Sequence, residues 1–377
     1  MNTKDSRIEW IDVFKGLAII LVVLGHSTDL FNLYVYQFHV AALFFISGMV
    51  AKFDNSNFIY DIYKKFMTLI MPLLTAVVLF AILLSLMNMT GIYHFFWNPN
   101  EYMGIKTTIV YFLTTGGCID LFVPGWFLIV LFGSNILSRI LYFLSRRKLI
   151  IFAVLSVLLY VVGYYVFKKS LTIRYYADIA LVAQLYYSIG FICKKITSNV
   201  TVSRSRKSLF ISLGLFSLSC AVMFLIFHFF GINSLMDIAG RTIRNPIISL
   251  IAATNGIFWL YLLSKIIVTT NISLIKNAII KIGQNTLGIV LFHFSMFRIV
   301  ALLLVALKKA DVSELLHLVP SGEIGRTFWI IYVIAGVGGS YLIWNIIKKI
   351  PILKHAFAAD RSHIEPIWVK IASEPRK

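Results

Sequence analysis

Cysteine is scarce in this chain, and Cys118, Cys193 and Cys220 stand far apart. An odd, dispersed set leaves no disulfide framework and no C-x-x-C metal or redox site. The chain has no H-E-x-x-H, so a zinc site has little support, and no G-x-x-x-x-G-K-[ST], which argues against ATP hydrolysis. No two Asp lie two residues apart, which removes the metal-nucleotide pair of many sugar-nucleotide transferases. Heptads, low-complexity tracts and strong internal repeats are missing too, and the last of these weakens an inverted-repeat transporter. Charge is thin, at 14% of residues, against roughly 25% in a soluble domain.

Apolar residues are abundant instead. Of 377 residues, 59% are hydrophobic, with 31 Phe, 18 Tyr and 7 Trp, and the mean hydropathy is +0.86. The formal net charge of +19 sits in short clusters between apolar runs. That is the positive-inside distribution of a multispanning membrane protein, not the footprint of a nucleic-acid binder. Soluble enzyme, nucleic-acid binder and secreted domain are all disfavoured.

Apolar runs centre on residues 13–30, 39–52, 66–90, 122–143, 149–167, 175–193, 208–230, 246–265, 284–306 and 326–347. They predict an all-α polytopic fold of about ten transmembrane helices, the second short and joined to the first as a tight hairpin. Lys4 and Arg7 precede the first run, but no small-residue cleavage site follows it, so it reads as an uncleaved span. With the N-terminus inside, the cytoplasmic segments hold Lys64-Lys65, Arg146-Arg147-Lys148, Lys194-Lys195, Arg204 to Lys207, Lys276, Lys281 and Lys348-Lys349. Most of the 35 basic residues then lie inside, and both termini are expected to be cytoplasmic. A membrane domain over 1–350 and a polar basic cytoplasmic tail over 351–377 complete the expected organisation. The long outer loop, Gly91 to Pro124, carries Trp97, Glu101 and Asp120, with Trp126 at its exit. A second outer loop, 231–245, carries Asp237, Arg241 and Arg244.

Ionisable groups inside hydrocarbon cost about 2.5–3.5 kcal/mol each on insertion scales, so those present are site candidates. The first span is richest, with Asp12, Lys15, His26 and Asp29. Lys15 and His26 stand close to three helical turns apart, on one face, roughly 16 Å along the axis. Asp12 is the natural charge partner of Lys15. A cation at the cytosolic mouth and an imidazole deep in the helix suit an anionic donor with a long arm. The plainer reading has Lys15 snorkelling and His26 bonding a neighbouring span. His39 opens the second span on the same membrane side as His26, so two imidazoles are expected to line one pocket. Ser47-Gly48 reads as a close-packing spot, not a nucleophile, since the G-x-S-x-G turn is missing. His293, alone among aromatics in the ninth span, is more often a packing residue than a site residue. His94, His228, His317, His355 and His363 have no partner at ligand spacing.

Two stretches carry a likeness. Asp12-Val-Phe-Lys15-Gly16 runs on to Gly25-His26, and Phe38-His39 runs on to Phe44-Phe45-Ile46-Ser47-Gly48. They resemble the integral-membrane acyltransferase-3 family, particularly its fucose-4-O-acetylase-like members that modify bacterial glycans. Lys64-Lys65 through Pro72, Pro124-Gly125-Trp126-Phe127-Leu128, and Ile282-Gly283-Gln284-Asn285-Thr286-Leu287 to His293 match further landmarks. Lys15 stands where many members have Arg, and Val40-Ala41 replaces Met-Pro after His39. Lys64 and Lys65 replace an Arg-rich stretch, keeping the charge but losing the bidentate fork that Arg offers phosphates. The resemblance implies ten helices around a pore-like site, acetyl-CoA as donor and a sugar hydroxyl as acceptor, on a surface polysaccharide or a lipid-linked glycan.

On that resemblance the expected catalytic set is His26, Lys15, Asp12 and His39, with Lys15, Lys64 and Lys65 toward the donor. Trp126, His293, Arg241 and Arg244 are expected toward the acceptor, and no metal is expected. His26 acts either as general base or through an acetyl-imidazole, and Asp29 is a candidate to orient it. Trp97 and Trp126 suit either sugar stacking or interface anchoring. The expected location is the bacterial inner membrane. The rival reading is a permease or flippase for a lipid-linked glycan, with His and Lys as a proton relay.

Overall fold

A computed structural model describes residues 8–54, 57–97, 102–197, 206–270 and 272–357. Lys4, Arg7, Glu101, Arg204, Ser205, His363 and the tail from 358 onward lie outside the described residues.

Twelve helices carry the architecture. They are α1 (Glu9–Ser27), α2 (His39–Met49), α3 (Phe58–Met89), α4 (Ile105–Thr115), α5 (Trp126–Leu144) and α6 (Leu149–Lys168). Then follow α7 (Ala177–Thr197), α8 (Arg206–Phe230), α9 (Pro246–Thr270), α10 (Ser273–Gln284), α11 (Thr286–Ala306) and α12 (Gly322–Lys349). Two are wound through a π-helical turn, α3 at Phe66–Ile70 and α12 at Ala335–Gly339. The only strands among the described residues, Met236–Asp237 and Thr242–Ile243, form a small antiparallel pair in the 231–245 loop.

Nine described helical segments are long and apolar enough to cross a membrane, and the protein is an all-α polytopic membrane protein. The tenth predicted span, α2, has only 11 residues, about 16 Å, or half of the hydrocarbon. It still returns the chain to the face where α7 ends, because Lys194 donates to the Ala51 carbonyl and Lys195 pairs with Asp54. The start of α1 and the end of α12 also share a face. Lys276 stands 3.5 Å from Glu9, Gln284 donates to Asp12 at 3.2 Å, and Lys348 donates to Asn285 at 2.7 Å.

Three differences from the sequence reading have local causes. The outer loop expected over 91–124 contains α4, whose Thr108 and Phe112, one turn apart, are buried. The run expected from 284 is preceded by a separate helix, α10, broken from α11 at Asn285. The membrane body also extends past residue 351. Pro351–Ala356 is helical, Thr75 donates to the Ala356 carbonyl at 2.6 Å, and Phe357 is buried against Phe292 and Trp344.

Two glycine pairs set the interhelical distances. Gly48 of α2 lies against the Tyr187 backbone of α7, while Gly190 of α7 lies against the Phe45 backbone. Gly16 of α1 and Gly283 of α10 repeat the arrangement against Ile279 and Asp12. Such small-residue seams let helix backbones meet where lipid supplies no hydrophobic drive. Gly48 is thus the close-packing residue that the sequence suggested, and Ser47 spends its hydroxyl on the Leu43 carbonyl, at 2.8 Å.

Candidate active site

Three imidazoles from three helices meet near the C-terminal end of α1. His26 and His293 have ring centres 5.6 Å apart and planes 26° apart. Phe294 stands edge-on to both, 5.2 Å from His26 and 4.7 Å from His293. His39 comes from α2: its Nε2 lies 3.9 Å from where a Cβ on Gly25 would stand, and Tyr36 packs on its ring at 4.8 Å. The 28–38 turn packs on α1 here, with Tyr36 and Val35 at ordinary contact distance, 3.4 Å, from the same point.

The tautomers of two rings follow from chemistry. His39 Nδ1 lies 2.7 Å from the Val35 carbonyl, and His293 Nδ1 lies 2.7 Å from the Ile289 carbonyl. A carbonyl oxygen only accepts, so each Nδ1 carries the hydrogen and each Nε2 presents a lone pair. His293 is fully buried, and its Nε2 has no hydrogen-bond partner among the described residues. His26 differs from both. It is only partly buried and makes no side-chain hydrogen bond among the described residues, so its ring can adopt either tautomer. Among the described residues, no group of three or more His, Cys, Asp or Glu is placed to hold a metal ion.

The other expected residues scatter. Lys15 is partly exposed on α1, and Asp12 is buried and receives the Gln284 amide. Lys64 is exposed, its ammonium 5.9 Å from the Tyr60 ring, and Lys65 is half-buried, just before the π-helical turn. Trp126 is half-buried at the start of α5, beside Phe127, which touches Phe44 of α2. Arg241 is committed to a neighbour. It donates to the fully buried Asp178 carboxylate at 2.5 Å and lies over the Tyr176 ring. Arg244 is exposed. Asp29 does not orient His26. Its carboxylate takes two hydrogen bonds, 2.9 and 2.6 Å, from Arg326 at the start of α12, and these hold its carboxyl below the usual range.

Sequence reasoning missed a second buried cation. Arg298 lies on α11, and its guanidinium is 5.2 Å from the ring of Trp97, which is itself buried and stacked on Tyr93. Trp97 is therefore engaged inside the protein and not at the lipid interface. A lone arginine inside an apolar run was the available signal. The same signal marks Arg139, buried on α5 and paired with Asp61.

A family model described as an acyltransferase domain matches residues 8–345. No curated protein and no solved structure gives a significant match.

Proposed function

The chain belongs to the acyltransferase-3 family of integral-membrane acyltransferases, and from that membership we propose an O-acetyltransferase. It takes acetyl from acetyl-CoA and places it on a sugar hydroxyl of a bacterial surface glycan or its lipid-linked precursor, in the bacterial inner membrane. One observation carries the assignment of the base. Of the three imidazoles, His26 alone is partly exposed and uncommitted, while His39 and His293 each spend one nitrogen on a backbone carbonyl.

The donor's phosphates meet Lys15 and the Lys64-Lys65 pair at the cytosolic face. Asp12, held by Gln284, supports the base of the same helix. About 16 Å of helix separates Lys15 from His26, a span for the donor's pantetheine arm. Neutral His26 takes the proton as the acceptor hydroxyl attacks the thioester carbonyl carbon. The C–O bond forms, the C–S bond breaks, and the proton passes from His26 to the departing thiolate. His39 lines the pocket beside Gly25. Trp126 and Arg244 are assigned to the acceptor in this reading, whereas Arg241 serves the fold through Asp178.

The test uses inverted membrane vesicles, radiolabelled acetyl-CoA and a glycan or lipid-glycan extract from the host. Alkali-labile label on carbohydrate is expected, reduced about 10²–10⁴-fold in His26→Ala at equal expression. No label from well-folded protein would restore the transport reading. Label that survives His26→Ala would keep the enzyme and remove the base.

A further inference from the structure

We infer that His293 is the positioning residue for His26: its Nε2 accepts the His26 N–H and so aims the other His26 nitrogen at the acceptor hydroxyl. The inference rests on the acyl-transfer reading above, and it gives His293 a task other than substrate contact.

Four observations carry it. His293 is fully buried, and its Nδ1–H is spent on the Ile289 carbonyl at 2.7 Å. Its ring therefore cannot turn over without orphaning that bond. Its Nε2 lone pair has no partner among the described residues, and a buried acceptor left unpaired is unfavourable. Phe294 and Phe297, with ring centres 4.7 and 5.9 Å away, box the ring and offer no donor. Of the rings in contact with His293 among the described residues, His26 alone carries an N–H, and it lies nearly parallel at 5.6 Å between centres. That separation falls in the range of offset-stacked rings, roughly 4.5–7 Å, and it is also close to that of an N–H···N pair, about 2.9 Å plus a ring radius at each end. Rotation of His26, which makes no side-chain hydrogen bond among the described residues, completes the bond.

The chemistry then follows the logic of a triad whose third member is a neutral imidazole in place of a carboxylate. With one nitrogen donating to His293, His26 has its lone pair on the other. When His26 takes the hydroxyl proton, the imidazolium keeps its N–H···Nε2 bond to His293. His293 stays neutral throughout, and the proton leaves with the thiolate. The titratable groups around His26 are His39 and Tyr36 from the 28–38 turn side, His293 from α11, and the Asp29–Arg326 pair at the mouth. His39 is likewise buried and locked through its Nδ1; what sets His293 apart is that its Nε2 is itself fully enclosed and has no partner among the described residues.

Three variants separate positioning from packing. Gln places an acceptor oxygen near the Nε2 position, Asn places one only near Nδ1, and Phe fills the box without any acceptor. Initial rates of acetyl transfer are measured against pH, alongside thermal unfolding in detergent and the KM for acetyl-CoA. His293→Phe and His293→Asn are expected to lower kcat on the order of 10²-fold with KM little changed. Their acidic limb should move to lower pH, because an imidazolium without its acceptor is easier to deprotonate. His293→Gln should recover most of the rate. A His293→Phe enzyme with wild-type kcat and pH profile would overturn the inference and leave the acetyltransferase standing. Loss of kcat in all three variants, tracking loss of melting temperature, would make His293 a packing residue and overturn it too. A wild-type protein that transfers no acetyl would remove both.

Discussion

Substituting Gly48 by Ala tests how the seam between α2 and α7 holds the site. A Cβ there would lie 2.8 Å from the Tyr187 carbonyl carbon and 3.1 Å from the Phe191 nitrogen. At Gly190 the corresponding distances are 2.8 Å to the Phe45 carbonyl carbon and 3.0 Å to the Met49 nitrogen. The carbonyl oxygens of Tyr187 and Phe45 lie closer still to these points, and nonbonded heavy atoms prefer about 3.5–4.0 Å, so one methyl opens the seam by more than about 1 Å. Overpacking costs about 1–3 kcal/mol, and the obstacle is backbone that cannot swing away, so the upper end applies. The functional effect is separate. His39 is the first residue of α2, and a 1 Å misplacement of site groups costs on the order of 10² in rate. Gly48→Ala should therefore lower both the melting temperature in detergent and the acetyl-transfer rate. Gly48→Ala with Gly190→Ala should be less than additive, since both load one seam. Gly214→Ala is the control: nothing lies within 4 Å of its Cβ position, and Ala is the better helix former, so neither quantity should fall. A Gly48→Ala protein with wild-type stability and rate would refute the reasoning.

Two further predictions concern charges. Arg241→Ala strands the fully buried Asp178 carboxylate, which should cost about 3–5 kcal/mol of stability; Arg241→Ala with Asp178→Asn should recover part of it. An unchanged melting point with a raised KM for the glycan would instead make Arg241 an acceptor contact. The Asp29 carboxyl is held low by its hydrogen bonds from Arg326, so the stabilisation it gives is complete above about pH 4 and disappears as pH falls through the depressed value. Hydrogen exchange over residues 28–38 should then be pH-independent in mechanism from pH 5 to 8 and faster in Asp29→Asn at pH 7. Loosening of the wild-type turn already at pH 6 would contradict this.

Much of the fold was legible because hydropathy is local. Each apolar run announces its own helix, and the Lys15–His26 register needs only the period of α1. Amphipathic pieces were not legible. Helix α4 buries just Thr108 and Phe112, and α10 carries Lys276 and Lys281 through its length, so neither reads as a span. The site divides the same way. His26 and His39 lie close in sequence and were placed together, but the approach of His293 depends on packing between distant segments. Gly336, in the α12 π-helical turn, admits Val23 and Phe297 at 2.7 and 2.8 Å from its Cβ position, and nothing in its own neighbourhood of sequence says so. Asp29 looked like a partner for His26 because Arg326 is remote in sequence and adjacent only in space.

The shortness of α2 bears on the order in which the protein is made. Eleven residues are too few for the translocon to hold as a span of their own, where about 20 are needed. The seat that receives α2 is the glycine face of α7, which is synthesised only after four further helices. At roughly 5–20 residues per second, the nascent chain holds α2 unseated for on the order of ten seconds, and His293 emerges later still. The three imidazoles therefore come together only when most of the chain is already in the bilayer. Ribosome-released fragments ending before α11 would carry His26 and His39 but not His293, so the cell is not exposed to half-built copies that spend an acyl donor.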